Sequence, residues 1–382
     1  MNMHAAMTGD IKAVCAQAAA ESEATETARQ LSPELARALA RAGYFNMFVP
    51  NALGGQQLSP PDAMARFHYL ARHDAASAWV AMIGGTTALG AAYIDEDIGR
   101  DMFAAKERIT CGIFAPNGRA VRDGDDYIVS GRWAWASGSA NADYIGLGCM
   151  TFEHEDDEPS GKNVRLLMVP RDKIIFHDTW HTMGLCGTSS GDVELQEARI
   201  PMAHSYSLAT DTPWAEGALY QMPYFALLAA GVAAVALGNA RAALDEVIEL
   251  VTAKTAQGHS RSLAERSGVQ AALAQGEAEW RAAQALYETT LADCWQAAQD
   301  KVIAPETKAD LRLASTHAVR SCAEVVRRVH DIAGGTSVYK ASAIQRRLRD
   351  AQTMTQHMIT NATTYEMTGR VLLGGYHPGM QL

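Results

Sequence analysis

The spacing of apolar and polar residues divides the chain into three regions. In the first, apolar residues recur every three or four positions, which predicts amphipathic helices. Ser32 and Ser59 each precede a proline, a pattern typical of helix N-caps, and two helices are expected to begin there. A more apolar helix follows, which we expect to be interrupted at Gly84 and Gly85. This region predicts an N-terminal helical domain over residues 1–107.

The second region consists of short segments rich in β-branched and aromatic residues, which predict strands. They read DDYIVSGRWAW, YIGLGCMTF, VRLLMVP and KIIFHD. Long helical segments then return up to the end of the chain. Because helices and strands do not alternate, the expected fold class is α+β, mostly α, without a parallel βαβ sheet. We expect a central β-barrel or sandwich domain over residues 108–217 and a C-terminal four-helix bundle over residues 218–382.

The chain of 382 residues carries a net charge of −10 and contains no run of lysine and arginine. An acidic chain repels phosphate backbones, so nucleic acid is not expected as a partner. The longest apolar run, FALLAAGVAAVAL, is shorter than a bilayer span, and the first residues lack the features of a secretion signal. We therefore expect a cytoplasmic protein with no membrane partner.

Motifs for several kinds of cofactor and catalysis are missing from the sequence. No G-x-G-x-x-G follows a strand, no H-E-x-x-H or cysteine–histidine cluster offers metal ligands, and no G-x-S-x-G suggests a hydrolase. No metal is expected. If the protein is a redox enzyme, the sequence gives it no recognisable nicotinamide site of its own.

The segment RRLRDAQTMTQHMIT near the C-terminus contains neither proline nor glycine and is predicted to be helical. In a helix Asp350 and His357 would lie two turns apart on one face. We expect Arg349 and Asp350 to form a structural ion pair. An ordinary imidazole titrates near pH 6.5, so His357 could act as a base or as a hydrogen-bond donor.

Four strings that lie in the same order over most of the chain resemble the acyl-CoA dehydrogenase superfamily. FNMFVPNALGGQQLSPPDAMARFHYLARHDAASAWV resembles its helical opening, and GRWAWASGSANADY resembles the strand beneath its flavin ring. TWHTMGLCGTSSGDVELQEARIP resembles its next strand pair, and DIAGGTSVYKASAIQRRLRD resembles its C-terminal segment. The resemblance implies the three-domain fold of that superfamily.

The superfamily contains two main chemistries, which differ in the base they need. A dehydrogenase removes the α-proton of an acyl-CoA thioester with a carboxylate. By resemblance, the two positions of that carboxylate correspond to Met358 and to Tyr224–Phe225, where this chain has none. The GRW strand, the P-x-GRA string and a histidine after R-D, here His357, instead resemble two-component flavin-dependent monooxygenases of the aromatic hydroxylase type.

This branch implies an oxygenase that uses reduced FMN or FAD and O2 through a C4a-hydroperoxide. A separate NAD(P)H:flavin reductase would supply the reduced flavin, by diffusion. The substrate would be an aromatic or polycyclic small molecule that becomes hydroxylated, and the protein would be a homotetramer. The choice between FMN and FAD and the identity of the substrate stay open.

The resemblance also implies roles for individual residues. His357 and Ser137 would be catalytic, His357 by handling the substrate or the peroxide and Ser137 by bonding near flavin N5. Thr87 and Tyr224 would contact the substrate. The flavin would be held by Trp135, Ser137, Gly138, Thr188 and Ser189, and by Gly334 and Gly335 from a neighbouring subunit.

Two other functions are compatible with the same fold. One is an acyl-CoA dehydrogenase-like or N-oxidising flavoenzyme, for example one that acts on an amino sugar. The other is a non-catalytic tetrameric scaffold that binds no flavin in either redox state.

Overall fold

A computed structural model describes residues 7–103, 105–158, 163–255 and 262–375, so the outer limits of the predicted domains at residues 1 and 382 lie outside the described residues. Five α-helices come first in the described chain, namely α1 Gly9–Ala28, α2 Pro33–Arg41, α3 Pro60–His73, α4 Ala75–Thr87 and α5 Glu96–Phe103. Seven strands follow, namely β1 Thr110–Asp123, β2 Asp126–Trp133, β3 Tyr144–Phe152, β4 Val164–Pro170, β5 Ile175–His177, β6 Asp192–Pro201 and β7 Ser205–Tyr206. Five further helices complete it, namely α6 Tyr224–Ala253, α7 Ser267–Gln299, α8 Pro305–Ala333, α9 Ala343–Met354 and α10 Thr364–Leu372.

The two predicted helix starts are confirmed. Ser32 Oγ accepts a hydrogen bond from Leu35 N at the start of α2, and Ser59 Oγ accepts one from Asp62 N at the start of α3. In both helices proline occupies the first turn, where its missing N–H leaves no helical hydrogen bond unmade.

The predicted interruption of the third helix is wrong, because α4 continues through Gly84 and Gly85. These glycines instead permit close packing. A Cβ added at Gly84 would lie 2.4 Å from the carbonyl oxygen of Thr110, and one at Gly85 would lie 2.9 Å from that of Tyr44. Gly84 therefore lets α4 lie against the first strand, and Gly85 lets it lie against the segment that follows α2.

The central strands form one seven-stranded sheet in the order β5-β6-β2-β1-β3-β4-β7, which confirms the predicted β domain. β1 and β3 pair in parallel, and every other neighbouring pair is antiparallel. The register of β1 against β3 shifts between Ile113 and Gly118, so the intervening residues bulge away from regular pairing. A bulge of this kind turns side chains in a new direction, and these reach a cavity described below.

The C-terminal helices α6, α7, α8 and α9 pack as the predicted bundle, with α6 against both α8 and α3. The apolar run inside α6 belongs to a helix of 30 residues, so its length alone does not exclude a membrane span. Burial accounts for its apolarity, because 94% of the most apolar window of α6 is buried inside the fold. The apolar segment Ala75–Ala92 is likewise wholly buried.

Candidate active site

A cavity of about 500 Å³ lies where the three parts of the fold meet. Its apolar walls come from α4, the bulge of β1 and the start of α6, and include Trp79, Ile83, Ile113, Phe114, Phe225 and Leu228. Polar atoms come from a few side chains, namely Thr86, Thr87, Asn117, Ser137, Thr182, Ser190, Thr353, Gln356 and His357. Among the described residues that line it, none is Asp, Glu, Lys or Arg. The cavity thus offers no carboxylate base.

His357 lines this cavity, but it does not lie on a helix. Helix α9 ends at Met354, so the prediction that Asp350 and His357 share a helical face is wrong. The hydroxyl of Thr355 donates to the carbonyl of Gln352 at 2.6 Å, and such hydroxyls compete with the helical hydrogen-bond ladder. His357 consequently sits in the turn that follows α9.

The imidazole of His357 is neutral near pH 7. Burial, together with the positive charge of Arg312, lowers the pKa of His357 to about 4. Its Nδ1 accepts a hydrogen bond from the backbone N–H of Ile359 at 3.3 Å, which places the single ring proton on Nε2. Of the two roles open to His357, this tautomer favours the donor.

Ser137 belongs to a chain of hydrogen bonds whose direction can be deduced. Thr188 Oγ1 donates to the carbonyl of Leu185 at 2.8 Å, so it must accept from Ser190 Oγ, 2.6 Å away. Ser190 must then accept from Ser137 Oγ at 2.7 Å. Trp79 Nε1 donates to Ser137 at 3.1 Å. The Ser137 proton is therefore committed, and one lone pair is left to accept a further bond.

Trp79 and Ser190 were missed as site residues in the sequence. Trp79 lies within a uniformly apolar helix, and its bond to Ser137 spans 58 residues, so no local pattern reveals it. Its ring also packs edge-on against His357, with centroids 5.3 Å apart. Ser190 is the last residue of the GTSS string, and only its neighbours Thr188 and Ser189 were selected.

The loop that carries Ser190 is held by a buried carboxylate. Asp350 accepts a hydrogen bond from Leu185 N at 2.6 Å, and Leu185 has a left-handed φ of 50°. Arg349 pairs with Glu26 at 2.6 Å, so the predicted Arg349–Asp350 ion pair is wrong. Burial, together with the nearby charge of Asp74, raises the pKa of Asp350 to about 7.

Trp135 stands at the cavity with 60% of its surface exposed. Its φ of 66° is left-handed, a conformation that costs a non-glycine residue about 1 kcal/mol or more. An exposed aromatic ring beside a hydroxyl with a spare lone pair and apolar walls fits a planar flavin ring. Gly138 N donates to the carbonyl of Thr188 at 2.8 Å, which ties the Trp135 turn to the loop that carries the half-buried Ser189.

Of the remaining predicted site residues, one lines the cavity and two lie behind its lining. Thr87 lines the cavity, and its hydroxyl donates to the carbonyl of Ile83 at 2.8 Å. Tyr224 lies behind the wall, where its ring packs 4.7 Å from Phe114 and its hydroxyl donates to the carbonyl of Thr86. Thr188 is fully buried behind Ser190.

Gly334 and Gly335 are not brought to this cavity within the chain. They follow α8 and are exposed, and a Cβ added at either would meet no atom within 4 Å. Their predicted contact was with the flavin of a neighbouring subunit, which a single chain does not contain.

Comparison with known proteins agrees with this geometry. The acyl-CoA dehydrogenase N-terminal domain model matches residues 4–97, and the C-terminal domain model matches residues 230–362. Indole-3-acetate monooxygenase of Pseudomonas putida is 29% identical over 350 residues, which cover 91% of this chain and 88% of that protein.

Two further comparisons cover nearly the whole chain. The oxygenase component of FADH(2)-dependent resorcinol hydroxylase from Rhizobium sp. is 26% identical over 97% of this chain and 95% of its own. The solved structure of XiaF from Streptomyces sp. in complex with FADH2 and glycerol superposes with a TM-score of 0.89 at 22% identity, over 97% of this chain and 95% of its own.

The two domain models together match more than half of the chain, at its two helical ends. The relatives align over the β domain as well, and those named above are oxygenases. The chain therefore belongs to the acyl-CoA dehydrogenase superfamily, in its branch of flavin-dependent monooxygenase oxygenase components.

Proposed function

We propose that this protein is the oxygenase component of a two-component system that hydroxylates an aromatic or polycyclic small molecule. One oxygen atom of O2 enters the substrate and the other leaves as water. The observation that carries the proposal is one apolar cavity in which Ser137, Trp135 and His357 meet without any carboxylate. A dehydrogenase would need such a carboxylate to remove its α-proton.

Reduced FMN or FAD, when bound, supplies two electrons and the activation of O2. Trp135 would pack against the flavin ring, and Gly138 and Ser189 would lie beside it. Ser137 would accept a hydrogen bond through its spare lone pair, because its own proton is committed to Ser190. Thr188 would act from behind, by fixing the direction of that bond.

His357 would donate Nε2–H to an oxygen atom in the cavity. Trp79 holds both Ser137 and His357, so the acceptor and the donor keep a fixed separation. The apolar walls exclude water, which would otherwise release the activated oxygen as hydrogen peroxide. Thr87 would contact the substrate, whereas Tyr224 would support Phe114 in the wall.

A stopped-flow experiment tests the proposal. The protein is mixed anaerobically with reduced FMN or FAD and then with O2. We expect a transient absorbance that free reduced flavin does not give. Oxidation indistinguishable from that of free flavin would contradict an oxygenase.

The two alternative functions give other results. Bleaching of bound oxidised flavin by an acyl-CoA, without a reductase, would support a dehydrogenase. Failure to bind flavin in either redox state would support a scaffold. A screen of aromatic substrates, coupled to a generic NAD(P)H:flavin reductase, then identifies the compound that is hydroxylated.

The assembly and location are also proposals. We propose a homotetramer that receives reduced flavin from its reductase by diffusion, in the cytoplasm. Exposed apolar side chains after α8, Val338 and Tyr339, each 73% exposed, support burial against another subunit. Light scattering measures the mass of the assembly directly.

We likewise propose the domain limits 107/108 and 217/218. They fall between Phe103 and Thr110 and between Tyr206 and Tyr224, outside the principal helices and strands.

A further inference from the structure

A buried positive charge lies behind one wall of the cavity. Arg312, on α8, is only 3% exposed. Its guanidinium donates from Nη1 to the carbonyl oxygen of Phe225 at 3.0 Å. Its Nε has no hydrogen-bond partner among the described residues, and no carboxylate of that part of the chain pairs with it. Arg312 is thus a buried cation with one neutral partner.

Burying a charge without a counter-ion is costly, and proteins normally provide one. Burial lowers the pKa of Arg312 to about 10, so the group stays charged at neutral pH. Thr316, one turn further along the same face of α8, is also fully buried, and its hydroxyl makes no hydrogen bond within the described structure. Two polar atoms, Arg312 Nε and Thr316 Oγ1, therefore lack hydrogen-bond partners among the described residues.

The location of Arg312 connects this charge with the cavity. Phe225, whose carbonyl it binds, contributes its ring to the cavity wall. His357, another lining residue, is close enough for the charge of Arg312 to lower its pKa. Because no charged side chain of the described residues lines the cavity itself, Arg312 supplies the positive potential at that end.

We propose that the cavity selects an aromatic substrate that carries a negative charge, with the anionic group directed toward Arg312 at the Phe225–His357 end. The inference rests on the proposed function for the presence of an aromatic substrate. The anion could be a side-chain carboxylate or a ring phenolate, which present the same chemistry to a guanidinium. Arg312 would then act as a specificity residue.

Equilibrium binding tests the proposal without catalysis. Calorimetric titration of the full chain, with saturating oxidised flavin, compares indole-3-acetate with the neutral indole-3-acetamide. We expect the carboxylate to bind about tenfold more tightly or better, because the positive potential of Arg312 attracts the anion across the Phe225 wall. The preference should persist in high salt, since a buried charge is weakly screened. The phenolate arm uses para-nitrophenol, whose pKa should fall on binding, as seen from its yellow anion.

Variants assign the preference to Arg312. Arg312→Met should abolish the preference for the anion while leaving the affinity for the amide within about twofold, and Arg312→Lys should restore part of it. Arg320→Met removes a charge from an exposed position of the same helix and should change nothing. If Arg312→Met does not fold, Arg312→Lys and the wild-type comparison still decide.

Equal affinity for the charged and neutral ligands, with no change in the pKa of para-nitrophenol, would overturn the inference. So would an equal loss of both ligands in Arg312→Met. A positive result in only one arm identifies the anion as carboxylate or phenolate. Since no O2 or reductase is present, failure of the oxygenase proposal leaves these measurements unchanged and is recognised separately.

Discussion

Trp79 touches both groups that we assign to the chemistry, because its ring nitrogen donates to Ser137 and its edge packs against His357. At the scale of single residues, the direction of each hydrogen bond decides what a side chain can do. Ser137 can only accept a further hydrogen bond, because the series of hydroxyl donors that starts at Ser137 ends at the Leu185 carbonyl, which can only accept. His357 ends as a donor because Ile359 N–H occupies its Nδ1.

Ser190→Ala should change which redox form of the flavin binds better. Its loss frees the Ser137 proton. At the flavin N5 contact that the resemblance implies, Ser137 would then donate to oxidised flavin, whose N5 is an acceptor, as well as accept from the N5–H of reduced flavin. We expect the ratio of the dissociation constants, oxidised over reduced, to fall about 3- to 10-fold. Anaerobic titrations measure it. Ser139→Ala, nearby but outside the cavity lining, is the control, and an unchanged ratio in Ser190→Ala would contradict the deduced direction.

His357→Ala should uncouple oxygen consumption from hydroxylation. Without the Nε2–H donor the protein should still consume reduced flavin and O2, but it should release more hydrogen peroxide per product formed. Peroxide and product assays measure this ratio, with the exposed His154→Ala as the control. Coupling equal to that of the wild type would remove His357 from the mechanism.

The low pKa of His357 also predicts how stability depends on pH. Its folded pKa of about 4 lies below the unfolded value of about 6.5, so the unfolded state binds the proton more readily. His357 should therefore lower stability progressively as the pH falls from about 6.5 to about 4. His357→Asn should flatten this part of the curve of melting temperature against pH. A wild-type curve that His357→Asn leaves unchanged would contradict the assigned pKa.

At the scale of elements, local patterns predicted what local forces determine. The caps of α2 and α3 and four of the strands were correct because short-range hydrogen bonds and side-chain periodicity fix them. The break at Gly84 and the helix through His357 were wrong. Gly84 stays within α4 and is small because the Thr110 carbonyl leaves no room for a side chain, and the Thr355 hydroxyl competes for a helical carbonyl where α9 ends. The hydrogen bond between Ser137 and Ser190 joins residues 53 apart, so no local sequence pattern could predict it.

Asp350, which holds the loop between β5 and β6, should make the stability of the protein depend on pH. The folded pKa of Asp350, about 7, lies above its unfolded value of about 3.9, so the folded state holds the proton more tightly. The contribution of Asp350 to the free energy of unfolding therefore falls as the pH rises from about 4 to about 7. Asparagine can still accept from Leu185 N without that loss. The melting temperature of Asp350→Asn relative to wild type should rise over this range.

Asp350→Ala provides the contrasting variant. It leaves the buried Leu185 N–H without an acceptor, so it should be about 1–3 kcal/mol less stable than Asp350→Asn at every pH. Denaturant unfolding at pH 5 and pH 8 separates the two variants. If Asp350→Asn is destabilised more at pH 8 than at pH 5, the assigned direction of the pKa shift is wrong.

At the scale of the whole molecule, substitutions at the two glycines after α8 can test whether flavin binding needs a neighbouring subunit. Gly334 has a φ of 58° that disfavours any larger residue, whereas Gly335 has no such restriction and open space around it. A change at Gly335 should therefore be harmless within the single chain. Any functional effect there must come from a contact outside it.

Gly335→Leu uses this asymmetry to test the proposed tetramer and its shared flavin site together. The melting temperature of the variant should stay close to that of wild type, because the added side chain meets no atom of its own chain. Flavin affinity should fall at least about tenfold if a neighbouring subunit presents its flavin there, since a leucine would occupy the space of the contact. Gly268→Leu, equally open and at the start of α7, is the matched control. Unchanged flavin affinity in a tetrameric Gly335→Leu would place the flavin contact elsewhere, whereas a monomeric wild type that binds flavin would remove the need for a neighbour.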